Sequence, residues 1–146
     1  MIPDKLISLV EQQKGNIHRT MPEAVDQELD ALGIRKDSEL GHFFRSYVIT
    51  FFPSEVSDEE LCDLISPTPR IAAGTKYVHD VWELPEQYVC LTNIQGEGAY
   101  LYDRDTGAVW DFDLASRESF VKGTENLRWT SFFDFMIWYL GEPDEL

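Results

Sequence analysis

The stretch EGAYLYDRDTGAVWDFD, residues 97–113, constrains the fold of this chain more than any other. Aromatic residues alternate with small, aliphatic or charged ones on both sides of Asp-Arg-Asp-Thr-Gly. A period of two is that of a β-strand, whose successive side chains point to opposite faces. Between the two runs, Asp103 and Asp105 favour turn conformations through side-chain bonds to the backbone, and Gly107 supplies the positive φ that closes a hairpin with a bulge. The stretch therefore reads as strand (Ala99 to Tyr102), loop, strand (Ala108 to Phe112). The aspartates also invite a metal reading, which fails on spacing. A calcium loop of the EF-hand type needs glycine at position six and glutamate at position twelve. Counting from Asp103, glycine falls at position five and Leu114 at position twelve.

The rest of the chain supplies helices on either side of this hairpin. Residues 3–14 fit a short helix with Leu6, Leu9 and Val10 on one face and Gly15 as its stop. A second helix runs through PEAVDQELDALGI, with Thr20 and Glu23 at capping-box spacing, Pro22 early, and Gly33 as terminator. SELGHFFRSY reads as a turn or short helix leading into YVITFF, a β-branched and aromatic strand ending at Pro53. Ser57 and Glu60 also stand at capping-box spacing, so residues 57–65 fit either a short helix or a strand. Residues 66–76 read as loop, KYVHDVW and QYVCLT as strands, and residues 113–126 as loop. The aromatic run SFFDFMIWYL reads as a closing helix capped by Thr130 or Ser131 and ended by Gly141. The expected architecture is α+β. It is a single domain over 1–146, a mostly meandering antiparallel sheet with N-terminal helices and a C-terminal helix packed on one face.

Catalytic signatures are missing at each place they would be sought. His18, His42 and His79 stand apart, without the spacing of a zinc-binding helix. No nucleophile elbow, phosphate-cradling loop or dinucleotide fingerprint occurs, so no cofactor is expected. Cys62 and Cys90 sit among apolar neighbours and read as reduced core thiols, not as a metal or redox pair. The first residues lack the long apolar core of a signal peptide, and the closing aromatic run is too short to span a bilayer. A cytoplasmic location is expected.

Charge is the remaining signal. Twelve Lys and Arg against 27 Asp and Glu leave a formal net charge of −15. Such a field repels nucleic acid and anionic membranes and speeds encounter with basic proteins. With 13% aromatic residues available as anchors, it suits a binding module better than an enzyme.

The order of motifs is similar to that of the SUKH superfamily, the Smi/Knr-like proteins. PEAVDQELDALGI and SELGHFFRSY come first, then the leucine-proline step of WELPEQYVCLT, the strand pair GEGAYLYDRDTGAVWDFD and the helix RWTSFFDFMIWYL. The resemblance spans residues 20–140. It implies an α+β domain without enzymatic activity. Many bacterial members are immunity proteins that neutralise toxins, often nucleases, in the cytoplasm, and some relatives elsewhere are regulatory or scaffolding modules. The implied partner is a basic protein, a polymorphic toxin domain, bound by a monomer. The expected contacts are Glu55, Asp58, Glu59, Glu60 and Asp63, the densest acidic run, with Asp103 and Asp105 as a second patch.

Overall fold

A computed structural model describes residues 1–65 and 70–142. Among these residues the chain forms six α-helices and three strands: α1 (Asp4–Glu11), α2 (Pro22–Leu32), α3 (Glu39–Ser46), α4 (Ile71–Asp80), β1 (Tyr88–Cys90), β2 (Gly98–Asp103), β3 (Val109–Asp113), a 3-10 turn (Leu114–Ser116), α5 (Arg117–Lys122) and α6 (Phe132–Leu140). The strands pair antiparallel in the order β1-β2-β3, a meander, so the fold is α+β.

The sheet is a middle layer with a core on each face. Tyr100 and Tyr102 of β2, Val89 of β1 and Val109 of β3 point to one side, where they join Leu6, Leu29, Phe43, Phe132, Phe135 and Tyr139. Ala99 and Leu101 of β2, Tyr88 and Cys90 of β1 and Phe112 of β3 point to the other, against Val78, Trp82 and Phe120. Burial on both faces explains why β2 is apolar almost throughout while its side chains still alternate in size.

Local chemistry sets the helices. α2 buries Val25, Leu29 and Leu32 on one face. It ends at Gly33 with Gly33 N–H donating to Asp30 O and Ile34 N–H to Leu29 O, the paired bonds of a Schellman stop. Its start differs from expectation. Pro22 takes the first helical position, Met21 flanks it, and no side chain caps it. Thr20 lies outside because Arg19 N–H is drawn to Ser46 O. At α3, Ser38 Oγ accepts from Gly41 N–H, and at α6 Ser131 Oγ accepts from Asp134 N–H.

Three further expectations are corrected. Residues 76–80 of KYVHDVW close α4, with Val81 and Trp82 just beyond it, so the stretch is not a strand, and 71–76, read as loop, opens the helix. Ile71, Thr75 and Val78 share the buried face of this helix, and tertiary burial outweighs the strand preference of β-branched residues. A Cβ on Gly74 would lie 3.1 Å from Thr92 O, so glycine lets the helix approach β1 closely. Thr75 Oγ1 accepts from Cys90 N–H at 3.0 Å, and His79 Nε2–H donates to Tyr88 O at 2.7 Å, so α4 occupies the outer edge of β1. YVITFF forms no strand. Tyr47 makes one bridge to His18, Val48 N–H goes to Ile17 O, and Ile49 N–H goes to the Asp63 carboxylate, which leaves no ladder to extend. Residues 113–126 are not plain loop. Asp113 caps the 3-10 turn, and α5 buries Phe120 between Tyr88, Trp110 and Phe112. Residues 66–69 of the loop expected at 66–76, and residues 143–146, lie outside the described residues.

The hairpin follows its sequence. Tyr100 faces Asp111 and Tyr102 faces Val109 across the ladder. Gly107, at φ +82°, donates its N–H to Asp103 O at 2.7 Å, and Asp103 Oδ1 accepts from Asp105 N–H at 2.9 Å.

Candidate protein-interaction site

Residues 54–60 form neither helix nor strand. Two serines lock them instead. Ser54 Oγ accepts from Val56 N–H at 3.2 Å, and Ser57 Oγ accepts from Glu59 N–H at 3.1 Å. Each turn carries an acidic residue in its middle, Glu55 and Asp58, and both are exposed. The segment is then fastened to the core from below. Tyr139 of α6 donates its hydroxyl to Glu59 O at 2.7 Å, with Phe52 O at 3.3 Å, and Ser54 Oγ donates to Tyr139 O at 2.7 Å. Tyr100 and Ser57 share a 2.6 Å hydroxyl contact. Beyond Glu60 the chain pairs with the continuation of β1, through Asn93 N–H to Glu60 O and Cys62 N–H to Leu91 O, each 2.9 Å. Hydrogen bonds thus fix the backbone that carries Glu55, Asp58, Glu59 and Glu60 before any partner arrives.

A second group of residues, unforeseen in the sequence, joins them. Asp111 of β3 lies close enough to Glu59 to act on its titration. Burial first, then the charges of Asp111 and Asp58, hold the Glu59 carboxyl above the usual carboxylate range. Asp111 Oδ2 accepts from Arg128 Nη1 at 2.9 Å. The Arg128 guanidinium lies over two indoles, 4.5 Å from the ring centroids of both Trp129 and Trp138. Tyr100 links the halves: its hydroxyl touches Ser57, and its ring meets Trp129 and Trp138 edge-on at 5.5 and 5.9 Å. No periodicity connects Asp111 with Arg128; only the return of the chain along β3 at Trp129 brings them together.

Two residues expected at a contact surface point inward. Asp63 is 1% exposed. Its Oδ1 accepts from Arg19 Nη2 at 2.8 Å and from Ile49 N–H at 2.9 Å, and its Oδ2 from Ile65 N–H at 3.1 Å. Arg19 also donates to Phe44 O and Tyr47 O, so the pair is a buried clasp between three segments and offers no charge to solvent. Asp103 is 5% exposed and is used up in the hairpin turn. Asp105 is exposed, and it lines a separate cleft of about 460 Å³ with Arg35, Arg104 and Ser131. Glu59 lies near Gly98, at the far end of β2 from Asp103, so the two acidic patches are about 17 Å apart along the strand.

Burial pushes the Cys62 thiol up to about 12 and the Cys90 thiol to about 11, so neither is a thiolate at neutral pH. Among the described residues, no three His, Cys, Asp or Glu side chains converge as metal ligands, and no helix is long and apolar enough to cross a membrane. The site offers fixed negative charge beside an aromatic platform. No family model matches the chain, and no curated protein matches it.

Proposed function

We propose that the protein is a non-catalytic, SUKH-like immunity protein of the bacterial cytoplasm. It neutralises a basic toxin domain, of nuclease type, by covering the surface that would otherwise contact phosphate. The observation that carries this reading is a hydrogen-bonded backbone bearing Glu55, Asp58, Glu59 and Glu60, with Glu59 close to Asp111 and Tyr100 joining the segment to the Trp129–Trp138 pair. A partner then meets charge carried on backbone that is already ordered. A nuclease carries lysines and arginines to engage phosphate, and an acidic surface competes for them while steering the encounter.

The test is co-expression with the product of the adjacent gene. Protection by the wild type, lost when Glu55, Asp58 and Glu59 are all changed to Lys while the fold persists, supports the reading. An association rate that falls steeply with added salt supports it further. If the neighbour is harmless, or the charge-reversed variant protects as well as the wild type, the reading fails. If a regulatory protein binds the same surface instead, the alternative role of interaction module replaces it.

A further inference from the structure

The walls around Arg128 form a seat for a guanidinium. The Trp129 and Trp138 centroids are 4.7 Å apart with their planes tilted by 44°, and the Arg128 carbon lies 4.5 Å from each. Asp111 closes a further side with a 2.9 Å bond. Two π faces and a carboxylate are what a flat, delocalised cation with in-plane N–H donors recognises, and a lysine ammonium matches them less well.

Two features separate the seat from an ordinary surface ion pair. Its frame does not depend on Arg128. Trp129 is buried, exchanges backbone bonds with Val109 in both directions, and packs edge-on against Tyr100 and Phe135. Its charge is also unbalanced. Arg128 and Lys5 stand against Asp111, Asp134, Asp58 and Glu59, and Glu59 makes no ion pair among the described residues. Access is open, because Arg128 and Trp138 line a cleft of about 440 Å³ with Lys5, Asp134 and Ile137.

We propose that this seat takes an arginine side chain presented by the partner protein, and that Arg128 is its stand-in while the protein is unbound. The proposal rests on the reading above of a basic protein partner and names the residue type that partner inserts. Free arginine fits worse, because Asp58, Glu59, Asp111 and Asp134 outnumber Lys5 around its own carboxylate. Displaced Arg128, 45% exposed in its side chain, is readily hydrated, and the ion pair and ring contacts it gives up are the cost that its removal is expected to relieve.

The seat is tested without a partner. Wild type and Arg128→Gln are titrated with N-acetyl-arginine amide while the indole N–H signals of Trp129 and Trp138 are followed by NMR. The variant is expected to bind about tenfold tighter than the wild type. N-acetyl-lysine amide and free arginine are expected to show no comparable gain, and adding Asp111→Asn is expected to cancel it. Equal affinity in wild type and variant overturns the proposal, as does an equal gain for the lysine probe or for free arginine. If Arg128→Gln does not fold, Arg128→Lys keeps the stem and the charge and is judged by the same criteria. A failed titration with intact, charge-dependent protection removes this inference alone. A successful titration with no protection removes only the toxin-neutralising role.

Discussion

Two kinds of carboxylate stand side by side in the same acidic stretch. Asp58 and Asp63 are five positions apart. Asp58 sits at the exposed middle of a serine-locked turn, while Asp63 is buried with Arg19 and two backbone N–H groups. Composition does not distinguish them; the direction of the chain does. Once Leu61 bridges Thr92, the segment turns inward, and the next acid must be matched by buried donors or be lost. Net charge therefore overstates the surface available to a partner, because part of it holds the protein together.

The sharpest way to break this comparison is to remove each carboxylate in turn. Asp63→Ala strands the Arg19 guanidinium, 8% exposed in its side chain, and frees the Ile49 and Ile65 amides. The expected loss is about 3–5 kcal/mol in denaturant unfolding, enough to prevent folding of a marginal protein. Asp58→Ala should stay within about 0.5 kcal/mol. Comparable losses at the two positions would erase the distinction.

The hairpin turn repeats the contrast on a smaller scale. Asp103→Ala removes the acceptor for Asp105 N–H and is expected to cost about 1–2 kcal/mol. Asp105→Ala, at the exposed tip, should be nearly silent in thermal unfolding. A third comparison concerns the frame under the acidic segment. Tyr139→Phe deletes the hydroxyl bond to Glu59 O. A loss of about 1 kcal/mol is expected, with faster amide exchange confined to residues 52–60. Unchanged exchange there would mean that the serine turns alone hold the segment.

What was legible in the sequence was local. The hairpin, α2 and α6 declare themselves through turn residues, caps and short-period burial, all within about ten neighbouring positions. What was not legible depends on partners far along the chain. Thr75 and Val78 favour strand by composition, yet they lie on a helix because the edge of β1 needs Thr75 and His79 as side-chain partners. YVITFF has strand composition but finds a carboxylate where a neighbouring strand would have been. At the candidate site, Glu55, Asp58, Glu59 and Glu60 could be nominated from charge density. Asp111, Arg128 and Trp138 could not, because each looks like an ordinary strand, loop or helix residue until β3 and Trp129 bring them together.

A smaller predicted effect probes whether the acidic face is strained by its own charge. The Glu59 carboxyl is held above its ordinary range by burial and by Asp111 and Asp58. A raised folded value means that the native state holds the proton more tightly than the unfolded chain does. Its contribution to stability is therefore fully present below the ordinary glutamate range and is lost as pH rises through the folded value. Glu59→Gln should accordingly flatten the decline of thermal stability from acidic to neutral pH. It should leave stability near pH 4 unchanged and raise it at pH 7 by no more than about 0.5 kcal/mol. The same substitution removes one charge from the proposed docking surface, so partner association should slow even as the free protein gains stability. If Glu59→Gln lowers stability at pH 7, Glu59 is a structural residue and belongs with Asp63.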